Sequence, residues 1–336
     1  MPATARTTRI PPPPRAKAVA LLRFLRLPLV FSAVADPLAG FLLMREPAQA
    51  GRWDPVLPLL ATSACFYTAG MVFNDLHDVD RDRKLHPHRP LVIGEVSPAL
   101  AWALGIVLLV GGLWLAWSVS PLAFEAGVGL AIAVLLYDFV LKRWDVPGAV
   151  ALGAARALNL SLGALAVPVS GLERLRVWDY FVMSGTYTMP SGAVMPGYGG
   201  HPLWNYLVIH GTYIAVVTWI STYEEAPARR NGFAAGVFLL ALVALGTETL
   251  ILPRAFEPWI ARGIAFGLAV VIAAVGFPII RRFSPGRVFQ MTKTGVMGII
   301  ALDAALAAGR GHSGEGALIL ALYVPAILLG RVLGKL

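Results

Sequence analysis

Long apolar runs, separated by short polar and mostly basic connections, set the pattern of this chain. The runs lie at 25–44, 57–76, 99–119, 122–141, 146–168, 203–222, 233–252 and 259–280, with two further stretches at 294–309 and 316–334. A crossing helix needs about 20 mainly apolar residues, so each of the first eight runs predicts one membrane span. The stretch 294–309 is short for a full crossing and contains Asp303, which leaves nine and ten helices both open. The fold class is therefore all-α: a polytopic transmembrane bundle over residues 21–336. Residues 1–20, with Pro11 to Pro14 and several arginines, read as a disordered basic arm. The apolar run after the arm is too long for a signal peptide. Residues 169–202, rich in Gly, Pro, Tyr and Met, are unusually long for a connection and read as an extracytoplasmic insertion.

Basic residues orient the bundle. Arg23 and Arg26 precede the first span; Arg81, Arg83, Lys84 and Arg89 follow the second; Lys142 and Arg143 follow the fourth; Arg229 and Arg230 follow the sixth; Arg281, Arg282, Arg287 and Lys293 follow the eighth. Every alternate loop is basic, which predicts a cytoplasmic N-terminus and a multi-pass protein of the cell membrane, in a bacterium the inner membrane. The composition agrees, with 57% hydrophobic and only 14% charged residues, against about 25% charged in a soluble domain. The formal charge of +9 thus belongs to membrane topology and implies no nucleic-acid partner. Cys65 is the single cysteine and lies inside a span, so no intrachain disulfide forms.

Chemistry concentrates where the second span ends, at Asn74-Asp75-Leu76-His77-Asp78-Val79-Asp80-Arg81-Asp82. Carboxylates abutting an apolar span are costly and usually functional. If the helix continues, Asp75, Asp78 and Asp82 fall on one face. Together with Asn74 they make a hard-oxygen site suited to Mg²⁺, which binds through a few carboxylates plus substrate phosphates. The bland alternative is a solvated loop of mixed charge. A reduced echo, Tyr223-Glu224-Glu225, follows the sixth span on the same side of the membrane. Its own bland reading is an exposed glutamate pair beside Arg229 and Arg230. His77, His86 and His88 lack the spacing of a zinc site and read as loop residues.

Order and spacing make these features more specific. Asn74-Asp75-x-x-Asp78-x-x-x-Asp82, followed by Arg89-Pro90-Leu91-x-x-Gly94-x-Val96-Ser97, resembles the signature of the UbiA superfamily of membrane prenyltransferases. Tyr137-Asp138-x-x-x-Lys142-Arg143 is similar to that family's aromatic and basic landmark at the end of its fourth helix. Arg23-Phe24-x-Arg26-Leu27-Pro28 is similar to the start of its first helix. The resemblance implies a helical bundle with a central, lipid-accessible cavity. In it a polyprenyl diphosphate would lie with its head group clamped by Mg²⁺ between two acidic motifs. Transferred by position, Asp75, Asp78 and Asp82 would hold metal with Asn74 in support, Lys142 and Arg143 would meet diphosphate, and Arg89 and Tyr137 would contact substrate. The departure is the second motif, which has Glu224 and Glu225 where most members carry several aspartates. Those glutamates are expected as metal ligands on family position, and the change marks a divergent branch.

Inside the spans, Arg156 and Asn159 share one face of the fifth helix, and Asp36 lies mid-span in the first. Arg156 serves either a substrate or a buried pair with Asp36. Tyr67 and Phe66 precede Asp75 by about two turns, a depth that suits guarding an isoprenoid. The expected activity is Mg²⁺-dependent transfer of a polyprenyl group from an allylic diphosphate to an aromatic or other small nucleophilic acceptor within the lipid. A cation-coupled transporter using Asp36 and Arg156, and a non-catalytic membrane scaffold of the same fold, are the alternatives.

Overall fold

The computed structural model describes residues 14–45, 53–167, 186–188, 194–196, 202–224, 230–251 and 258–333. The helices are α1 Pro14–Phe24, α2 Leu27–Met44, α3 Val56–His77, α4 Val79–Leu85, α5 Pro98–Val119, α6 Pro121–Leu136 and α7 Asp145–Ala164. They continue as α8 Pro202–Ser221, α9 Arg230–Ile251, α10 Pro258–Arg281, α11 Pro285–Gly309, α12 Ser313–Ala321 and α13 Tyr323–Leu333. A π-helical turn, Tyr137–Leu141, extends α6, and a 3₁₀ turn, Thr222–Glu224, extends α8. Strands β1 Thr186–Thr188 and β2 Val194–Pro196 pair antiparallel inside the 169–202 insertion, most of which lies outside the described residues, as does most of the 1–20 arm.

Eight rods are long and apolar enough to cross a membrane. With α7 and α8 this makes ten among the described residues, the larger of the two expected numbers. The ninth rod is longer than its apolar stretch. Helix α11 starts at Pro285, so Arg287 and Lys293, read from sequence as loop, stand in its first turns. The tenth rod is α12 and α13, broken at Leu322.

Local chemistry explains where the rods begin. Ser97 and Ser120 accept hydrogen bonds from the backbone N–H of Leu100 and Ala123, and each is followed by a proline in the first turn. Arg26 separates α1 from α2 by taking a left-handed backbone conformation (φ 48°), uncommon for a residue with a Cβ. Packing on the inner side is close. A Cβ on Gly40 of α2 would stand 1.9 Å from the Leu160 carbonyl oxygen of α7, and one on Gly163 of α7 would stand 1.8 Å from that of Pro37. Only hydrogen fits there, and small residues at their contacts let membrane helices approach closely.

Two apolar clusters form the core. One joins α2, α3, α6, α7, α11 and α12; the other joins α8 to α11. The outer face of α5 exposes Trp102, Ile106, Val107, Val110, Trp114 and Trp117, an apolar surface suited to lipid. Between the two clusters the helices enclose a cavity.

Candidate functional site

The cavity has a volume of about 280 Å³ and is walled by α2, α3, α6 and α7 on one side and α8 and α11 on the other. Its walls are largely apolar and aromatic, with Phe66, Tyr67, Leu130, Val134 and Tyr137 among them. Polar groups gather at its two ends. Arg26, Asp138 and Lys293 line the end nearer the basic loops, and Arg156 and Asn159 line the floor.

The acidic stretch stands at the mouth. Helix α3 runs through Asn74 and Asp75 to His77, Asp78 forms the joint, and α4 carries Asp82. The helix is not continuous, yet the N–H of Asp78 still bonds the Asn74 carbonyl and that of Asp82 bonds the Asp78 carbonyl, so the face is nearly preserved. Asp75 and Asp82 are buried. Arg26 donates to Asp75 at 2.7 Å, and Arg89 donates to Asp75 at 3.2 Å and also to Asp82. The Lys142 ammonium lies 3.0 Å from Asp78 and 3.1 Å from the Asn74 side-chain oxygen. Burial pushes the Asp82 carboxyl above the usual carboxylate range, although the Arg89 guanidinium opposes the shift.

The turn after Arg89 holds that arginine in place. The Pro90 carbonyl accepts the N–H groups of Glu95 and Val96, and Gly94 takes the left-handed conformation (φ 80°) that this turn needs. Leu91 and Val96 then bury against Phe24 and Val72. The loop is thereby a plug that fixes a guanidinium over two carboxylates.

The expected residues separate by position. Asn74, Asp75, Asp78, Asp82, Arg89 and Lys142 come together at the mouth, while Tyr67 and Tyr137 line the cavity below. Arg143 does not join them: it is exposed and lies 4.0 Å from the centre of the Trp144 ring. Adjacent residues of a helical turn face different ways, so one partner of a basic pair can point inward and the other out. Glu224 accepts a hydrogen bond from Thr292 at 2.8 Å, and Thr292 lines the cavity. Glu225 lies outside the described residues. At the floor, Arg156 sits 3.1 Å from Asp36 and donates to the Ser32 carbonyl, and Asn159 donates to Asp36 at 2.7 Å. The two alternatives for Arg156 are thus one arrangement, since it pairs with Asp36 and also faces the cavity.

Four residues at or near the cavity carry no site reading from sequence. Arg26, Lys293, His210 and Asp303 stand out there only as topology signals, as an isolated polar residue in a span, or not at all. His210 meets its partners, Asp36 and Asp303, only across helices, so no local motif marks that group.

An all-oxygen donor set at the mouth of an apolar hollow fits a divalent ion such as Mg²⁺. The carboxyl oxygens of Asp75, Asp78 and Asp82 do not all converge within 4.8 Å, so these side chains do not form one closed cage. Mg²⁺ commonly keeps waters and binds one or two carboxylates plus phosphate oxygens, and an open set of this kind suits that habit.

Comparison with known proteins bears on the same residues. Residues 37–195 match the UbiA prenyltransferase family. A digeranylgeranylglyceryl phosphate synthase of Methanoculleus marisnigri is 33% identical over 125 residues, which is 37% of this chain and 45% of that protein. Protoheme IX farnesyltransferase 1 of Paramagnetospirillum magneticum is 36% identical over 129 residues, 36% of this chain and 44% of the relative. The chain therefore spans under half the length of these curated relatives. Among solved structures, a UbiA homologue from Archaeoglobus fulgidus bound to GPP and Mg²⁺ superposes with a TM-score of 0.56 at 17% identity, covering 85% of this chain and 99% of its own. A UbiA homologue from Aeropyrum pernix K1 gives 0.59 at 21% identity, with 84% and 96% covered. At these identities the structures establish a shared fold.

Proposed function

From the match of residues 37–195 to the UbiA prenyltransferase family, we propose that the chain transfers a prenyl group from an allylic diphosphate to a nucleophilic acceptor inside the membrane, with Mg²⁺ at the cavity mouth. One observation carries the reading: carboxylates and cations alternate at the mouth of a hollow whose walls are otherwise greasy and aromatic. That is the polarity of a prenyl diphosphate, charged at one end and hydrocarbon at the other.

Each group has a task on this reading. Asp75, Asp78 and Asp82, with Asn74, would hold the metal, and Glu224 supplies a carboxylate from across the cavity. Mg²⁺ held by these carboxylates would draw charge off the departing diphosphate. Arg26, Arg89 and Lys142 rest on carboxylates and would turn to phosphate oxygens, where charge-assisted bonds are strong. Tyr67, Phe66 and Tyr137 face the prenyl tail and favour a developing allylic cation through their ring faces. The apolar wall keeps water from quenching that cation before the acceptor attacks. Arg156 and Asn159 at the floor bind the far end of a substrate. The basic loops favour a mouth on the cytoplasmic side, in a bacterium at the inner membrane.

The test is direct. Purified protein incubated with donors of ten to twenty carbons should release diphosphate only with Mg²⁺, and Asp78→Asn or Asp75→Asn should cut the rate by about 10²-fold or more. Equal release by wild type and both variants removes the reading. Cation-coupled transport draws on the buried charges at mid-depth, yet transporter sites sit on discontinuous helices and α7 runs unbroken past Arg156.

A further inference from the structure

Away from the mouth, three helices bring together a group that prenyl transfer does not use. Asp36 on α2, His210 on α8 and Asp303 on α11 are each fully buried. One ligand atom from each lies within 4.8 Å of the others. His210 Nε2 stands 3.3 Å from Asp36 Oδ1 and 3.2 Å from Asp303 Oδ1. Both His210 nitrogens, Asp36 Oδ1 and both Asp303 oxygens lack a well-formed hydrogen bond, so the imidazole meets the two carboxylates by close charge contact. Unsatisfied polar atoms are especially costly in a membrane interior, where water does not compensate them.

We propose that Asp36, His210 and Asp303 form a second metal centre, for a divalent transition ion of the Zn²⁺ class, at the middle of the bundle. The spacing carries the argument. Ligands held about 2.0–2.2 Å from an ion at tetrahedral angles stand about 3.3–3.6 Å from one another. The two measured separations, 3.3 and 3.2 Å, lie at the short edge of that range. An imidazolium wedged between the carboxylates would serve one oxygen well and leave the second Asp303 oxygen unmet. A central ion serves Asp36 Oδ1, His210 Nε2 and the Asp303 carboxylate at once.

Ligand type selects the ion. One imidazole and two carboxylates, with no thiolate, favour Zn²⁺, Mn²⁺ or Fe²⁺ over Mg²⁺. The surroundings are also those of a metal ligand. Asn159 donates to Asp36 Oδ2 at 2.7 Å and Arg156 lies on Asp36 Oδ1, so the carboxylate is oriented by outer partners. Those partners are the cavity floor, so the ion would fix Arg156 and Asn159 while tying α2, α8 and α11 together. The centre is separate from the mouth. Asp36 lies ten residues along α2 from Arg26, the partner of Asp75, a rise of about 15 Å.

Full-length protein in detergent would be stripped with a chelator, loaded with Zn²⁺, desalted and assayed by mass spectrometry for bound metal. Wild type and Asp78→Asn are expected to keep roughly one equivalent, and His210→Asn and Asp303→Asn to keep little. X-ray absorption of Zn²⁺-loaded wild type needs no variant to fold, and should show one imidazole among oxygen ligands. The proposal is overturned if wild type holds no more zinc than His210→Asn, if Asp78→Asn loses the ion, or if the absorption spectrum lacks an imidazole. Because the readout is metal content and not turnover, it stands or falls independently of prenyl transfer.

Discussion

Lys142 and Arg143 are neighbours with different surroundings. The lysine reaches Asp78 and Asn74, and the arginine lies on Trp144 at the surface. If the lysine steadies the mouth and meets phosphate, Lys142→Met should lower kcat/KM for diphosphate release by about 10²-fold. Arg143→Ala should change it less than about threefold, the scale of a surface substitution. Steady-state kinetics on the two variants checks both. The sequence presents the pair as equivalent, because a basic dipeptide carries no record of which side chain turns inward. By contrast Asp75, Asp78 and Asp82 are legible from the sequence alone, since their spacing and their position against an apolar run are local facts. His210 is not. A lone histidine in a span has no meaning until α2 and α11 supply carboxylates beside it.

At the scale of elements, hydropathy locates nearly all the rods and fails at one start. The first turns of α11 hold Arg287, Gln290, Lys293 and two threonines nearby, so apolarity begins late although the helix does not. Those polar turns place Thr292 and Lys293 against the cavity. The tightest contact is equally silent in composition, because many glycines are present and only some meet backbone. Gly40 and Gly163 do. Gly163→Val should force α7 off α2 and cost about 1–3 kcal/mol, read as a lowered thermal midpoint in detergent. Gly111→Ala should be tolerated, because a Cβ there meets nothing within 4 Å. Thermal unfolding followed by size-exclusion fluorescence distinguishes them.

For the whole molecule, the bundle is legible because membrane solvation writes helix length into the sequence. The cavity is not, since it arises where two packed clusters fail to meet. Its volume should limit the donor: Ser63→Trp, which fills the wall beside α2, is expected to shorten the longest prenyl chain turned over, measured across a donor series. Closure of the bundle has a further consequence. The Arg23 guanidinium of α1 donates to the Leu333 carbonyl of α13 at 2.7 Å, joining two helices 310 residues apart in the chain. During synthesis α1 therefore makes this bond only after α13 has been added, although Phe24 already packs on Val72 and Leu91. A circular permutant that links α13 to α1 and opens elsewhere would keep that contact while removing the wait.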